Sequence, residues 1–91
     1  MDINEFRHAV IEAKLGDEIV YHNGNLHYER LTNADLHVLA REVWEMAGMA
    51  WDKNWGQYGA WRQTGARLIQ LVQRRIDRKR GFQYIAVRVR V

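Results

Sequence analysis

Arg74, Arg75, Arg78, Lys79 and Arg80 place five cations within seven residues. An arginine fork donates two parallel hydrogen bonds to a phosphate, so a cluster of this kind suits a polyanionic partner. Arg88 extends the basic run along the segment that follows. A second group interleaves Trp51, Trp55, Tyr58 and Trp61 with Lys53, Asn54, Gln57, Arg62 and Gln63. Asn and Gln match the adenine edge and Arg the guanine edge. Exposed indoles stack on unpaired bases or anchor a protein interface, here Trp51, Trp55 and Trp61. The carboxylate pairs Glu42/Glu45 and Asp17/Glu18 have nothing beside them to position a substrate. His8, His22, His27 and His37 lack the spacing of a metal set, and no glycine motif for a phosphate loop occurs. The expectation is a non-enzymatic binding protein with no catalytic residues, metal or cofactor.

The composition sets the frame for those residues. Ninety-one residues with 47% hydrophobic and 27% charged side chains build one domain, 1–91, with a core of its own. The absence of cysteine removes disulfides and thiolate chemistry and points to the cytoplasm. No apolar run is long enough for a membrane span, and Met1–Val10 does not read as a signal peptide, so no membrane partner is expected. Charge is divided unevenly. Residues 1–50 hold nine acids and four bases, whereas 51–91 hold two acids and ten bases, so the halves carry −5 and +8. A negatively charged macromolecule is therefore expected to meet the second half.

Spacing then predicts the elements. Asp2 to Glu5 has capping-box spacing, and Ile3, Phe6, Val10 and Ala13 predict a helix over 3–14, with Gly16 to stop it. Residues 18–22 predict a strand. Asn23-Gly24 favours a type I′ turn, with 25–29 either its return strand or a loop into the next helix. Thr32 to Asp35 forms a second capping box ahead of a helix over 33–47, striped by Leu36, Leu39, Ala40, Val43 and Ala47. A short helix is read near 52–63, carrying the tryptophans. Strict alternation of Ile85, Val87, Val89 and Val91 makes a strand of the C-terminus. Residues 67–75 read as its hairpin partner in preference to a helix, with 76–81 as the basic tip.

This order, helix-strand-helix-short helix-C-terminal β-hairpin, resembles a winged helix-turn-helix domain of the α+β class. The resemblance implies that a third helix enters the major groove of duplex DNA while the hairpin touches its backbone. It also implies a homodimer on two half-sites, joined through Asn25–Leu31 or the Trp cluster. A more local similarity is to small uncharacterised proteins encoded by phages and prophages. It rests on Tyr21-His22-Asn23-Gly24-Asn25-Leu26 with Arg30, and on Leu71-Val72-Gln73-Arg74-Arg75 followed by Phe82, Tyr84, Ile85, Ala86 and Val87. In that group the two blocks lie closer together, so 49–65 looks like an insertion, and an inserted loop would leave no recognition helix there. Nucleic acid, with duplex DNA favoured, is the expected partner. A host protein docking on Trp51, Trp55 and Trp61 is the alternative.

Overall fold

Asp2 accepts the Glu5 N–H at 2.8 Å and starts the first helix, α1 (Ile3–Glu12), in the computed structural model, which describes residues 1–54, 59–65 and 67–91. Then come β1 (Glu18–Gly24), α2 (Leu26–Thr32), α3 (Ala34–Met46), β2 (Met49–Asp52), β3 (Ala60–Gln63), β4 (Ile69–Asp77) and β5 (Gly81–Arg88). The result is an α+β fold. Its antiparallel three-stranded sheet has the order β1-β5-β4, so the first strand pairs with the last, and β2 pairs with β3 in a separate two-stranded unit.

The core forms where the helical stripes meet one face of the larger sheet. α1 contributes Phe6 and Val10, α3 contributes Leu39 and Val43, and the sheet contributes Ile19, Tyr21, Ile69 and Ala86. Phe6 meets Tyr21 edge-on, with ring centroids 5.8 Å apart. Burying each large apolar side chain of this set stabilises the fold by about 1.5–3 kcal/mol. In β1 the register shifts between Val20 and His22. Ile19 and Tyr21 face the helices together by ordinary strand alternation, and the extra residue of the bulge lets the next one, His22, still pair with Tyr84. On the opposite face Ile85 lies between Val20 and Val72, its two cross-strand partners. Arg74 on β4 reaches Glu18 on β1 at 3.5 Å, so this ion pair spans the middle strand on that face.

Several expectations give way. The predicted type I′ turn does not form, because it needs positive φ at both central residues and among the described residues only glycines have it. Asn23 and Gly24 instead end β1, and 25–29, read as a return strand or a loop, opens α2. The winning interaction is local: Asn25 caps the helix by accepting the Tyr28 N–H at 3.4 Å. The cap of α3 is Asn33, which accepts the Leu36 N–H at 3.1 Å, while the Thr32 hydroxyl donates to the Glu29 carbonyl. Of the helix expected near 52–63, residues 55–58 lie outside the described residues, and the flanking ones belong to the β2–β3 pair, with Trp51 opposite Trp61. Cross-strand aromatic pairing overrode an apparent helical spacing that Gly56 and Gly59 already weaken. The C-terminal hairpin is present, in the register Leu71 to Ala86 and Gln73 to Tyr84.

Candidate functional site

The turn between β4 and β5 is organised by one carboxylate. Asp77 accepts the Lys79 N–H at 2.9 Å, the Arg80 N–H, and the Arg80 Nε at 2.6 Å. The Arg80 bonds are the main reason its carboxyl is held below the ordinary carboxylate range. This ties the turn down and neutralises Arg80. Arg74 is directed toward Glu18 and Gln83. Arg75, Arg78 and Lys79 are exposed and have no acidic partner among the described residues. Five clustered cations in the sequence thus become three uncompensated ones.

The turn is also fixed to the body of the fold. Gly81 has φ +78°, and a Cβ there would lie 3.1 Å from the Gly24 carbonyl carbon. Only glycine allows this approach, which sets the basic turn beside the start of α2. Arg75 lies opposite Phe82 in the ladder, and Phe82 stands edge-on to Tyr84 at 6.5 Å. The exposed cations therefore flank a small aromatic surface.

Arg88 departs from the basic group. It pairs with Ile69, at the end of the sheet away from the turn. Its guanidinium donates to the Val10 and Arg90 carbonyls at 2.5 Å. It thus satisfies a terminal carbonyl of α1, which has no basic residue in its last turn. The gain of that bond, not surface charge, explains its position.

The second candidate group lies on the β2–β3 hairpin instead of a helix. Lys53 and Asn54 occupy its turn, where the Asn54 N–H donates to Asp52 at 2.9 Å. Arg62 pairs with Asp52 at 3.5 Å, and Gln63 is exposed on β3. Gln57 and Trp55 lie outside the described residues. Trp61 stacks on Trp44 of α3 at 5.3 Å and meets Trp51 edge-on at 5.6 Å. Trp61 is therefore turned into the molecule, while Trp51 remains 51% exposed. The hairpin base is clipped beside the end of α3. The Thr64 N–H and hydroxyl both donate to the Gly48 carbonyl at 2.6 and 2.9 Å, and the Leu68 N–H donates to Met46 at 2.9 Å. Trp44 escaped the sequence reading because it lies off the main stripe of α3. Its helical line with Ala40 and Ala47 was the available signal.

The expected single basic surface is consequently divided. One part is the turn at the far end of β4. The other accompanies α3, where Arg41, Lys53, Trp51 and Trp61 line one concavity together with the carboxylate of Glu45. Within the acidic half Arg7 pairs with Glu42 at 2.9 Å and Arg41 with Glu45 at 3.4 Å, and the half keeps its excess of acids. Among the described residues no cluster of three His, Asp or Glu side chains converges to hold a metal, and no helix is long and apolar enough to cross a membrane. No protein-family model matches the chain, and neither does any curated protein or solved structure.

Proposed function

We propose that this chain is a small non-enzymatic regulator or accessory protein of the phage type. It binds nucleic acid, duplex DNA first, through the turn of its C-terminal hairpin. The carrying observation is the set of three uncompensated cations, Arg75, Arg78 and Lys79, on a turn held rigid by Asp77 and by the approach of Gly81 to Gly24. A turn whose backbone is already fixed meets phosphate with only its side chains left to order.

The connectivity supports a winged-helix relation. With the β2–β3 unit set aside, the order is helix, strand, helix, helix, hairpin, and the first strand pairs with the last. In this reading α3 takes the place assigned by sequence to 52–63, and β4–β5 is the wing. The outward part of α3 holds Asp35 and Glu45 as well as His37 and Arg41. That balance disfavours deep insertion between phosphates, so the binding expected is dominated by backbone contacts and tolerant of sequence. The host-protein alternative loses Trp61, which is packed inward, and keeps Trp51.

The test is fluorescence anisotropy with a random duplex at 50 and 200 mM salt. Three phosphate contacts give a slope of log K against log[salt] of about −2.7, or roughly a 40-fold loss across that range. Replacing Arg75, Arg78 and Lys79 with Gln should abolish binding at the higher salt and flatten the slope. Absence of binding by the unmodified chain at 50 mM salt would overturn the proposal.

A further inference from the structure

Between α2, α3 and the β2–β3 hairpin lies a cavity of about 330 Å³ lined by Arg30, His37, Arg41, Trp51 and Trp61. We propose that it is a nucleotide pocket, in which a nucleobase stacks on Trp51 and its phosphate is held by Arg30 and Arg41. This inference rests on different residues from the basic turn and stands independently of it.

The lining carries the inference. Among the described residues every one that lines it is a base or an indole, and none is a carboxylate. The volume falls within the range of small-ligand sites, roughly 300–1,000 Å³. Trp51 leaves half of its surface open, which is unusual for so large an apolar side chain. Trp61 stands edge-on to it and is backed by Trp44, so the aromatic wall is formed before a ligand arrives. Arg30 is half-buried and has no acidic partner among the described residues. Among the described residues Arg41 is paired only with Glu45, one helical turn away and exposed, an interaction weak enough to yield to a phosphate. A planar ring with an attached dianion satisfies both the indole face and the two guanidinium groups. The carboxylate of an acidic peptide satisfies the cations but offers no plane to Trp51. The free mononucleotide and an unpaired nucleotide of a strand share this chemistry.

The intact chain should be titrated with adenosine 5′-monophosphate, with an eight-residue oligo(dA) and with an acidic peptide, following tryptophan emission and heat. Saturable binding of one or both nucleotide probes is expected. Trp51→Ala should weaken it by roughly 5- to 150-fold, the range measured for loss of one base–aromatic stack. Trp51→Phe should recover most of it, and Arg41→Gln should weaken it through the phosphate. Trp51→Phe keeps a ring opposite Trp61, and circular dichroism of each variant separates loss of the stack from loosening of the hairpin. Equal affinity for the mononucleotide and the strand identifies the free nucleotide as ligand, and binding of the strand alone identifies an unpaired residue. The Gln variants of Arg75, Arg78 and Lys79 should bind the mononucleotide unchanged. Failure of both nucleotide probes would overturn the pocket, as would affinity undiminished in Trp51→Ala or saturation by the acidic peptide alone.

Discussion

The molecule carries two antiparallel hairpins with basic residues, and they are attached in different ways. β4–β5 grows out of the core: Ile69 and Ala86 are fully buried against the helices, and β5 is the middle strand of the sheet. β2–β3 is clipped on by the Trp44–Trp61 stack and by bonds at its base to Gly48 and Met46. The difference decides what each can offer a partner. A hairpin rooted in the core projects a stiff turn, so Arg75, Arg78 and Lys79 can stay uncompensated. In the clipped hairpin the aromatic rings hold the unit in place, and Arg62 turns back to Asp52.

The sharpest way to break this comparison is to remove one anchor from each hairpin. Ile69→Ala leaves a cavity in the shared core and should cost about 2–5 kcal/mol of global stability, read from urea unfolding by circular dichroism. Tyr21 tests the same side through pH. Burial pushes its phenol up to about 12, with a further contribution from Tyr84. A raised value means that the neutral form is favoured in the folded state. The associated stability is present below the ordinary value of 10.0 and is lost as pH rises from there toward about 12. Two units correspond to about 2–3 kcal/mol. Tyr21→Phe should therefore gain on the unmodified chain between pH 9 and 12, by parallel urea titrations.

Trp61→Ala should act more locally. It removes two ring contacts worth about 0.5–1.5 kcal/mol each beyond area burial. Global stability should fall by less than in Ile69→Ala, while the amides of Ala50 and Arg62 exchange with solvent well before the core amides do. A global loss as large as that of Ile69→Ala would show that the two hairpins are anchored alike.

How far the sequence disclosed these two hairpins follows from the range of the interactions that make them. The alternation from Ile85 onward and the stripe on α3 are short-range patterns; α3 stands where it was expected, while β5 stops at Arg88 and turns Ala86 instead of Ile85 to the helices. The α2 segment was lost to the Asn-Gly pair, whose turn preference is real in isolation but yields here to the cap supplied by Asn25. The β2–β3 pair was hidden because Trp51, Trp55, Tyr58 and Arg62 fit a helical spacing. What decides against the helix is the pairing of Trp51 with Trp61, backed by Trp44 on a different element, and contacts of that kind leave no mark on local periodicity. The same limit applies to the charges. Clustering of Arg74 to Arg80 was evident, but the compensation of Arg74 by Glu18 spans 56 positions and that of Arg88 by Val10 spans 78. Arg30, His37 and Arg41 were not read as one group, because only folding brings them to Trp51.

The smallest expected effect addresses the basic turn alone. Asp77 both ties the turn and occupies Arg80, and its depressed titration means that these bonds persist above the ordinary carboxylate value and are lost as pH falls through the lower, folded one. Asp77→Asn keeps an oxygen able to accept the Lys79 and Arg80 N–H groups but discards the charge that holds the Arg80 guanidinium. Overall stability should barely change, because the turn is exposed. If the hairpin tip contacts phosphate as proposed, the released Arg80 becomes a fourth contact, and the salt slope steepens by about 0.9. A slope that stays constant in Asp77→Asn, measured on the same duplex, would mean that cations on this turn do not face the nucleic acid. The rigidity that distinguishes β4–β5 from β2–β3 would then serve the fold and not binding.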